Sequence, residues 1–303
     1  MAVAQAGIFN SDISTHHYYL EFSLNTDADI SVLKQQLASL ATPDGSHLVM
    51  AFGPNCWQRL QPQMSIEGLS SFKAINGLEG HICPSTQQDV FFWLHCPTEE
   101  GHSYNLDHVF KITDALEGLA SLTLEIQAVK YHDSRDLTGF VDGSANPKDE
   151  HKYLESLIAD GQKGEKGSYL LTQKWVHNLK KFKQLPQLEQ EQVIGRTKPD
   201  SIELEGDAMP DNSHVSRTDA KLDGKAAKVY RRSTPFGNSQ EKGLYFVSFA
   251  NQQARHQIQL DRMFGVVGDG IYDRLLDFSQ AKSSSYWFAP SQTSLDDLLA
   301  CSS

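Results

Sequence analysis

The sequence predicts an α+β fold made of two ferredoxin-like β-α-β-β-α-β units with antiparallel sheets. Three observations lead there. Strand-like and helix-like segments follow that order from His16 to Val129, and a second run from Ser168 to Ala289 follows it again. The 303 residues suffice for two ordinary domains at about 100–200 residues each. Such units set their helices on one face of an antiparallel sheet, so two of them can pack sheet to sheet or helix to sheet around a shared cleft.

The first unit, residues 1–145, opens with His16–Leu24 (HHYYLEFSL), whose aromatic and β-favouring residues read as a strand. Asp27–Leu40 carries Ile30, Leu33, Leu37 and Leu40 at helical spacing. Two apolar runs, His47–Phe52 and Asp89–His95, read as strands. Leu106–Leu119 reads as a helix with Val109, Ile112, Leu116 and Leu119 on one face, and Leu122–Val129 as the closing strand. The second unit, residues 146–303, is predicted to contain strand Ser168–Trp175, a helical stretch at Leu188–Ile194 and strands Lys228–Ser233 and Leu244–Ala250. A helix over Gln252–Phe264 and a strand near Tyr286–Ala289 complete it. Loop-rich stretches fall at 131–167 and 197–224. The ending TSLDDLLACSS, apolar at Leu295, Leu298 and Leu299, reads as a terminal helix that docks; the residues give no specific support to a docking tail.

With 39% hydrophobic and 21% charged residues the composition is that of a globular protein, not a disordered or fibrous one. The net charge of −11 and the lack of a long basic stretch argue against nucleic acid or an anionic membrane as partner. Cys56, Cys83, Cys96 and Cys301 form no CxxC or CxxCH pattern, so neither a zinc ribbon nor a covalently attached haem is expected. The amino terminus carries no secretory signature and no apolar run is long enough to span a bilayer, which makes a cytoplasmic address the expectation.

Three stretches hold residues suited to chemistry. In DLTGFVDGSANP, residues 136–147, Asp142-Gly143 and Asn146-Pro147 are ordinary turn signals. The glycines at 139 and 143 would equally let the backbone approach a flat ligand and aim the Asp142 carboxylate into a pocket. His214 sits in the polar run DNSHVSRTD, read as a loop, where a surface role competes with ligation. In KVYRRSTPFG, Arg231 and Arg232 fall on a predicted strand, so one faces inward and requires an anionic partner.

Together these stretches resemble the dye-decolourising peroxidase family, DyP-type haem enzymes of the dimeric α+β barrel superfamily, and most closely its compact bacterial branch. The family signature GxxDG is met by Gly139-Phe140-Val141-Asp142-Gly143. His214 stands where the family places its haem ligand and Arg231 where it places an arginine over the haem. The resemblance runs from the first strand to DRLLDFSQAKSSSYWFAPS without departure at the acid, the histidine or the arginine.

The resemblance implies one haem b per chain, held by His214, and a peroxidase that reduces hydrogen peroxide and oxidises a small aromatic substrate in one-electron steps through a ferryl state. It implies Asp142 as proton shuttle and Arg231 as the charge that stabilises the leaving oxygen and keeps Asp142 ionised. Ser233, two residues on, is expected to bond a distal water. Asp277 in RLLDF is the candidate acceptor for the second ring nitrogen of His214. Arg196 and Asn146 are expected near the haem edge, with Gly143 beside it; solvated loop positions are the plain alternative for the first two. An aspartate shuttle implies better activity in mildly acidic solution. Tyr131, Trp175, Tyr286 and Trp287 are candidate electron relays, against the commoner role of aromatics as core. A haem-handling protein with incidental peroxidase activity needs His214 but not Asp142 or Arg231. A haem-free binding domain needs none of them. Exposed sheet edges make a homodimer or higher homo-oligomer the expected assembly.

Overall fold

The computed structural model describes residues 1–11, 14–41, 47–96 and 100–300, so Cys301 lies outside the described residues. Strand β1 spans His16–Leu24 as expected. Helix α1 covers Ile30–Leu40, opened by the Asp29 side chain, which accepts from the backbone N–H groups of Ser31 and Val32. After β2 (Leu48–Phe52) comes a short helix, α2 (Pro54–Leu60), that apolar periodicity did not indicate. Proline at its first turn is its sequence mark. Strand β3 (Val90–Cys96), helix α3 (Gly101–Ala115) and strand β4 (Ala120–Val129) follow. Helix α3 ends before the expected Leu119 because Gly118, with φ 75°, turns the chain into β4.

The second half holds β5 (Ser168–His177), α4 (Gln187–Ile194), α5 (His214–Thr218), β6 (Tyr230–Arg231), β7 (Thr234–Gly237), β8 (Lys242–Ala250), α6 (Gln253–Met263), β9 (Ser279–Ala289) and α7 (Gln292–Ala300). Two expectations are corrected here. His214 opens a short helix capped by Ser213 rather than sitting in a loop, and the strand predicted over Lys228–Ser233 is broken after Arg231.

Nine strands form one sheet in the order β6-β8-β5-β9-β2-β3-β1-β4, with β7 also on β8. The first half contributes β4-β1-β3-β2 and the second β9-β5-β8-β6, each the antiparallel ferredoxin-like order. The halves meet edge to edge through Phe288 of β9 opposite Phe52 of β2, so they build a continuous sheet instead of two sheets facing across a cleft. At the far side the Tyr19 hydroxyl donates to Thr234 Oγ1 at 2.9 Å, tying β1 to β7. The curled sheet thereby encloses a core drawn from both halves, including Tyr19, Val49, Phe91, Trp93, Leu170, Tyr245, Val247 and Trp287. On the outer face of the first half, Leu33, Leu37, Val109 and Ile112 pack with Leu295, Leu298 and Leu299, which docks the terminal helix α7 as expected. Of the proposed relays, Trp175, Tyr286 and Trp287 are buried in the packing while Tyr131 is exposed.

Glu21 lies inside the shared core, buried with the aromatic residues. Burial raises its carboxyl from an ordinary 4.5 to about 7, although hydrogen bonds from Tyr245, Thr172 and Ser285 work in the opposite direction. The folded protein therefore binds this proton more tightly than the unfolded chain. Between pH 4.5 and 7 the stability from this group falls as pH rises, and above about 7 it no longer changes. The total is about 3 kcal/mol at 1.36 kcal/mol per pH unit. Thermal unfolding of the wild type and Glu21→Gln from pH 4.5 to 8 is expected to show this slope only in the wild type; parallel curves would contradict it.

Candidate active site

Strands β5 and β8 present alternate residues to opposite faces. Leu170 and Thr172 of β5, with Tyr245 and Val247 of β8, face the shared core. Their neighbours Leu171, Gln173, Trp175, His177, Leu244 and Phe246 face outward and floor a cavity. Helix α6 covers it with His256, Gln259, Leu260 and Met263, while α5, the Asp142 loop and Arg231 complete its walls. The cavity thus belongs to one half of the sheet, between strands and helices, and not to a cleft between the halves.

Three histidines border this cavity, and their hydrogen bonds separate them. His177 bonds Ser279 Oγ through Nδ1 at 2.7 Å, and its Nε2 is fully buried. His256 bonds Ser248 Oγ through Nε2 at 3.1 Å, with Nδ1 fully buried. Burial holds both rings below the usual histidine range, to about 4 and about 3, so both are neutral packing groups. His214 differs: its Nδ1 donates to Asp273 Oδ2 at 2.7 Å, and its side chain retains 30% of its accessible surface at the cavity wall. An Asp oxygen on Nδ1 keeps the proton there and leaves the Nε2 lone pair free. Asp273 is itself wholly buried and pinned, its Oδ1 accepting from Leu275 N at 2.9 Å.

Asp277 does not take that place. It accepts from the Tyr272 hydroxyl at 3.2 Å and lies 3.5 Å from His81 Nε2, away from His214. Asp273 caps the 3₁₀ turn Arg274–Asp277, and that turn carries the two acids to different sides. The two acids stand four apart in one short segment, and their order in the chain does not show which of them reaches His214.

Asp142 and Arg231 share the cavity and approach to 4.0 Å, Oδ1 to Nε. Asp142 Oδ1 also accepts from Gly143 N at 2.6 Å. Gly143 takes φ 78°, the left-handed region in which glycine is favoured, so the turn reading and the aimed acid describe the same local geometry. Asn146 clamps Arg231 from the main chain: its Oδ1 accepts from Arg231 N at 3.0 Å and its Nδ2 donates to Arg231 O at 2.7 Å. It fixes the arginine rather than lining this cavity. Arg196 does line it, held by Glu203 and the Ser201 carbonyl. Ser233 falls outside, because the strand breaks before it and strict alternation with Arg231 is lost. Its Oγ accepts from Val247 N at 3.3 Å and it borders an adjoining cavity.

That second cavity shares Asp142, Gly143 and Arg231 with the first, so the acid and the guanidinium stand at the partition. Its walls are polar and rich in cations, with Lys130, Arg135, Lys148, Lys152 and Arg232 around His17. A further acid that motif reading passed over, Asp136, borders the first cavity; burial raises its carboxyl to about 6, with Asp142 adding to the rise and the Thr138 hydroxyl opposing it.

These residues fit the haem that the resemblance implies. Leu171, Trp175, Leu244 and Phe246 on the floor and Leu260 and Met263 on the lid supply the apolar surface that a flat tetrapyrrole requires, and His214 offers one open imidazole nitrogen. Arg231 Nε is buried without a hydrogen-bond partner, the sign of a site shaped for something polar beyond the chain itself.

Known proteins agree. The family model for the C-terminal part of Dyp-type peroxidases matches residues 133–294. The dye-decolorizing peroxidase of Rhodococcus erythropolis is 33% identical over 278 residues, covering 89% of this chain and 79% of its own. That of Mycobacterium tuberculosis is 34% identical over 255 residues, covering 82% and 74%. Among solved structures, a Shewanella oneidensis protein described as dyp-type superposes with a TM-score of 0.89 at 34% identity over 99% of both chains. A DypB variant from Rhodococcus jostii RHA1, described as in complex with heme, gives 0.87 at 31% identity over 94% of this chain and 96% of its own.

Proposed function

Because the chain belongs to the dye-decolourising peroxidase family and is a haem peroxidase, we propose that His214 would hold the haem iron while Asp142 and Arg231, on another wall of the same cavity, act on peroxide. The observation that carries this is the shared cavity, with the free Nε2 of His214 on one wall and the acid and guanidinium, 4.0 Å apart, on another. The haem, when bound, supplies the iron that breaks the peroxide O–O bond and takes electrons from the reducing substrate.

The chain's own residues do the rest. Asp273 orients the His214 ring and makes it more electron-donating by accepting the hydrogen bond from its Nδ1–H. Peroxide enters through the polar second cavity, which the pair at the partition separates from the first. Asp142 takes the proton from the inner oxygen and returns it to the departing one. Arg231, held in register by Asn146, stabilises the charge that grows on that oxygen. Arg196 and Gly143, which line the cavity, would border the edge of the haem. Ser233 and its hydroxyl serve the entry side.

We likewise put the boundary between the two units at residues 145/146 and the protein in a reducing, cytoplasmic setting, in keeping with Cys56 and Cys83, buried thiols that form no disulfide. No described helix is long and apolar enough to cross a membrane.

An absorption spectrum tests the proposal directly. Haemin added to the protein is expected to give a Soret band that shifts when peroxide follows. No band, or a band indifferent to peroxide, would overturn it.

A further inference from the structure

The shared core contains a buried acid and a buried phenol that the peroxide chemistry does not use. Tyr245 OH donates to Glu21 Oε1 at 2.6 Å, and Thr172 Oγ1 reaches the same oxygen at 3.1 Å. Trp287 Nε1 in turn donates to Thr172 Oγ1 at 2.8 Å. Glu21 and Tyr245 are both essentially inaccessible to solvent. Tyr19, the neighbour of Tyr245 in the core, bonds a neutral acceptor, Thr234. A carboxylate acceptor is different, because it can take the phenolic proton outright. Tyr245 also occupies a special place in the chain: Leu244 and Phe246 on either side of it project from the opposite face of β8 into the haem cavity. One strand therefore separates the phenol from that cavity.

Resting on the haem-peroxidase reading, we propose that Tyr245 and Glu21 form an internal proton-coupled redox site. When no reducing substrate is at hand, Tyr245 gives one electron to the peroxide-oxidised cofactor and its hydroxyl proton to the Glu21 carboxylate. The O–H bond of the phenol breaks, a neutral tyrosyl radical remains, and a carboxylic acid forms. One oxidising equivalent is thus held inside the barrel, and the reverse transfer restores both groups. The ring of Tyr19, 4.3 Å from that of Tyr245 and tilted by 30°, packs against the radical site, and its hydroxyl is engaged with Thr234.

The step needs Glu21 ionised. The groups that face its carboxyl are the hydroxyls of Tyr245 on β8, Thr172 on β5 and Ser285 on β9, with Tyr19 the neighbouring titratable phenol. With the acid raised to about 7 by burial, the radical yield rises as pH rises through neutrality.

The test is freeze-quench electron paramagnetic resonance on the haem-loaded protein mixed with hydrogen peroxide, with stopped-flow absorbance at the Soret band in parallel. A tyrosyl signal is expected in the wild type and in Tyr19→Phe, and is lost in Tyr245→Phe. Glu21→Gln is expected to lose most of the signal and all of its rise with pH, and to shift the g1 value that reports the hydrogen bond to the phenoxyl oxygen. If the Soret band responds to peroxide but the signal is absent, or survives in Tyr245→Phe, the inference is overturned. So it is if g1 and the pH profile are the same with Gln at position 21. A Soret band that ignores peroxide would instead sink the haem-peroxidase reading beneath it.

Discussion

His214→Ala is expected to lose the Soret band at haemin concentrations that saturate the wild type, with peroxidase turnover falling to background. Removing a partner that merely orients a metal ligand typically weakens binding by about 10–100-fold, so removing the ligand itself should cost roughly 100-fold or more. Asp273→Asn supplies the internal scale: it retains the imidazole, loses the charged acceptor at 2.7 Å, and should fall in the smaller range. The fold of the variant is not at stake. Helix α5 keeps the Ser213 cap on Ser216 N, and Arg217 stays anchored to Asp269 at 2.7 Å. A circular dichroism spectrum and melting curve like those of the wild type, alongside lost haem absorbance, would separate ligation from folding. An unchanged Soret band would remove His214 from the site.

Arg231→Leu is expected to slow the reaction with peroxide by about 10²–10³, the usual cost of deleting a charge aimed at a developing anion. Asp142→Asn should cost about 10²–10⁴, the range of a general acid–base group. Both variants should still bind haem, because His214 and Asp273 are untouched. Stopped-flow rates at the Soret band give the numbers. Acid and guanidinium act on the same oxygen pair, so the double variant should lose less than the product of the two single losses. Rates close to the wild type with haem retained would favour a haem-handling role, in which these two side chains are incidental.

Much of the site was legible because its chemistry resides in residue types that few other roles demand together. The candidates Asp142, His214 and Arg231 came from a glycine-flanked acid, a histidine and an arginine in the family's order, and the fold brings all three to one cavity. The supporting residues were harder. Asp273 and Asp277 stand four apart in one short segment, and only the turn that Asp273 caps decides which of them meets His214. Ser233 was placed by strand alternation, which fails where the strand breaks after Arg231. His177 and His256 border the same cavity as His214, and nothing in their flanking residues shows that their ring nitrogens are already spent or sealed.

Local pattern was enough to determine the kind of the long elements, though not of the short helices α2 and α5: strand β1 was bounded correctly by its own residues, and α1 by its apolar spacing with an Asp cap. These depend on interactions within a few residues of the chain. The joining of two half-sheets through Phe52 and Phe288, and the division of faces between haem cavity and aromatic core, were decided only in three dimensions. Strand β5 is buried on both faces along most of its length, so its sequence carries no alternation to tell one face from the other. Which side receives a cofactor and which receives Glu21 follows from packing between segments more than 100 residues apart, such as Glu21 and Thr172.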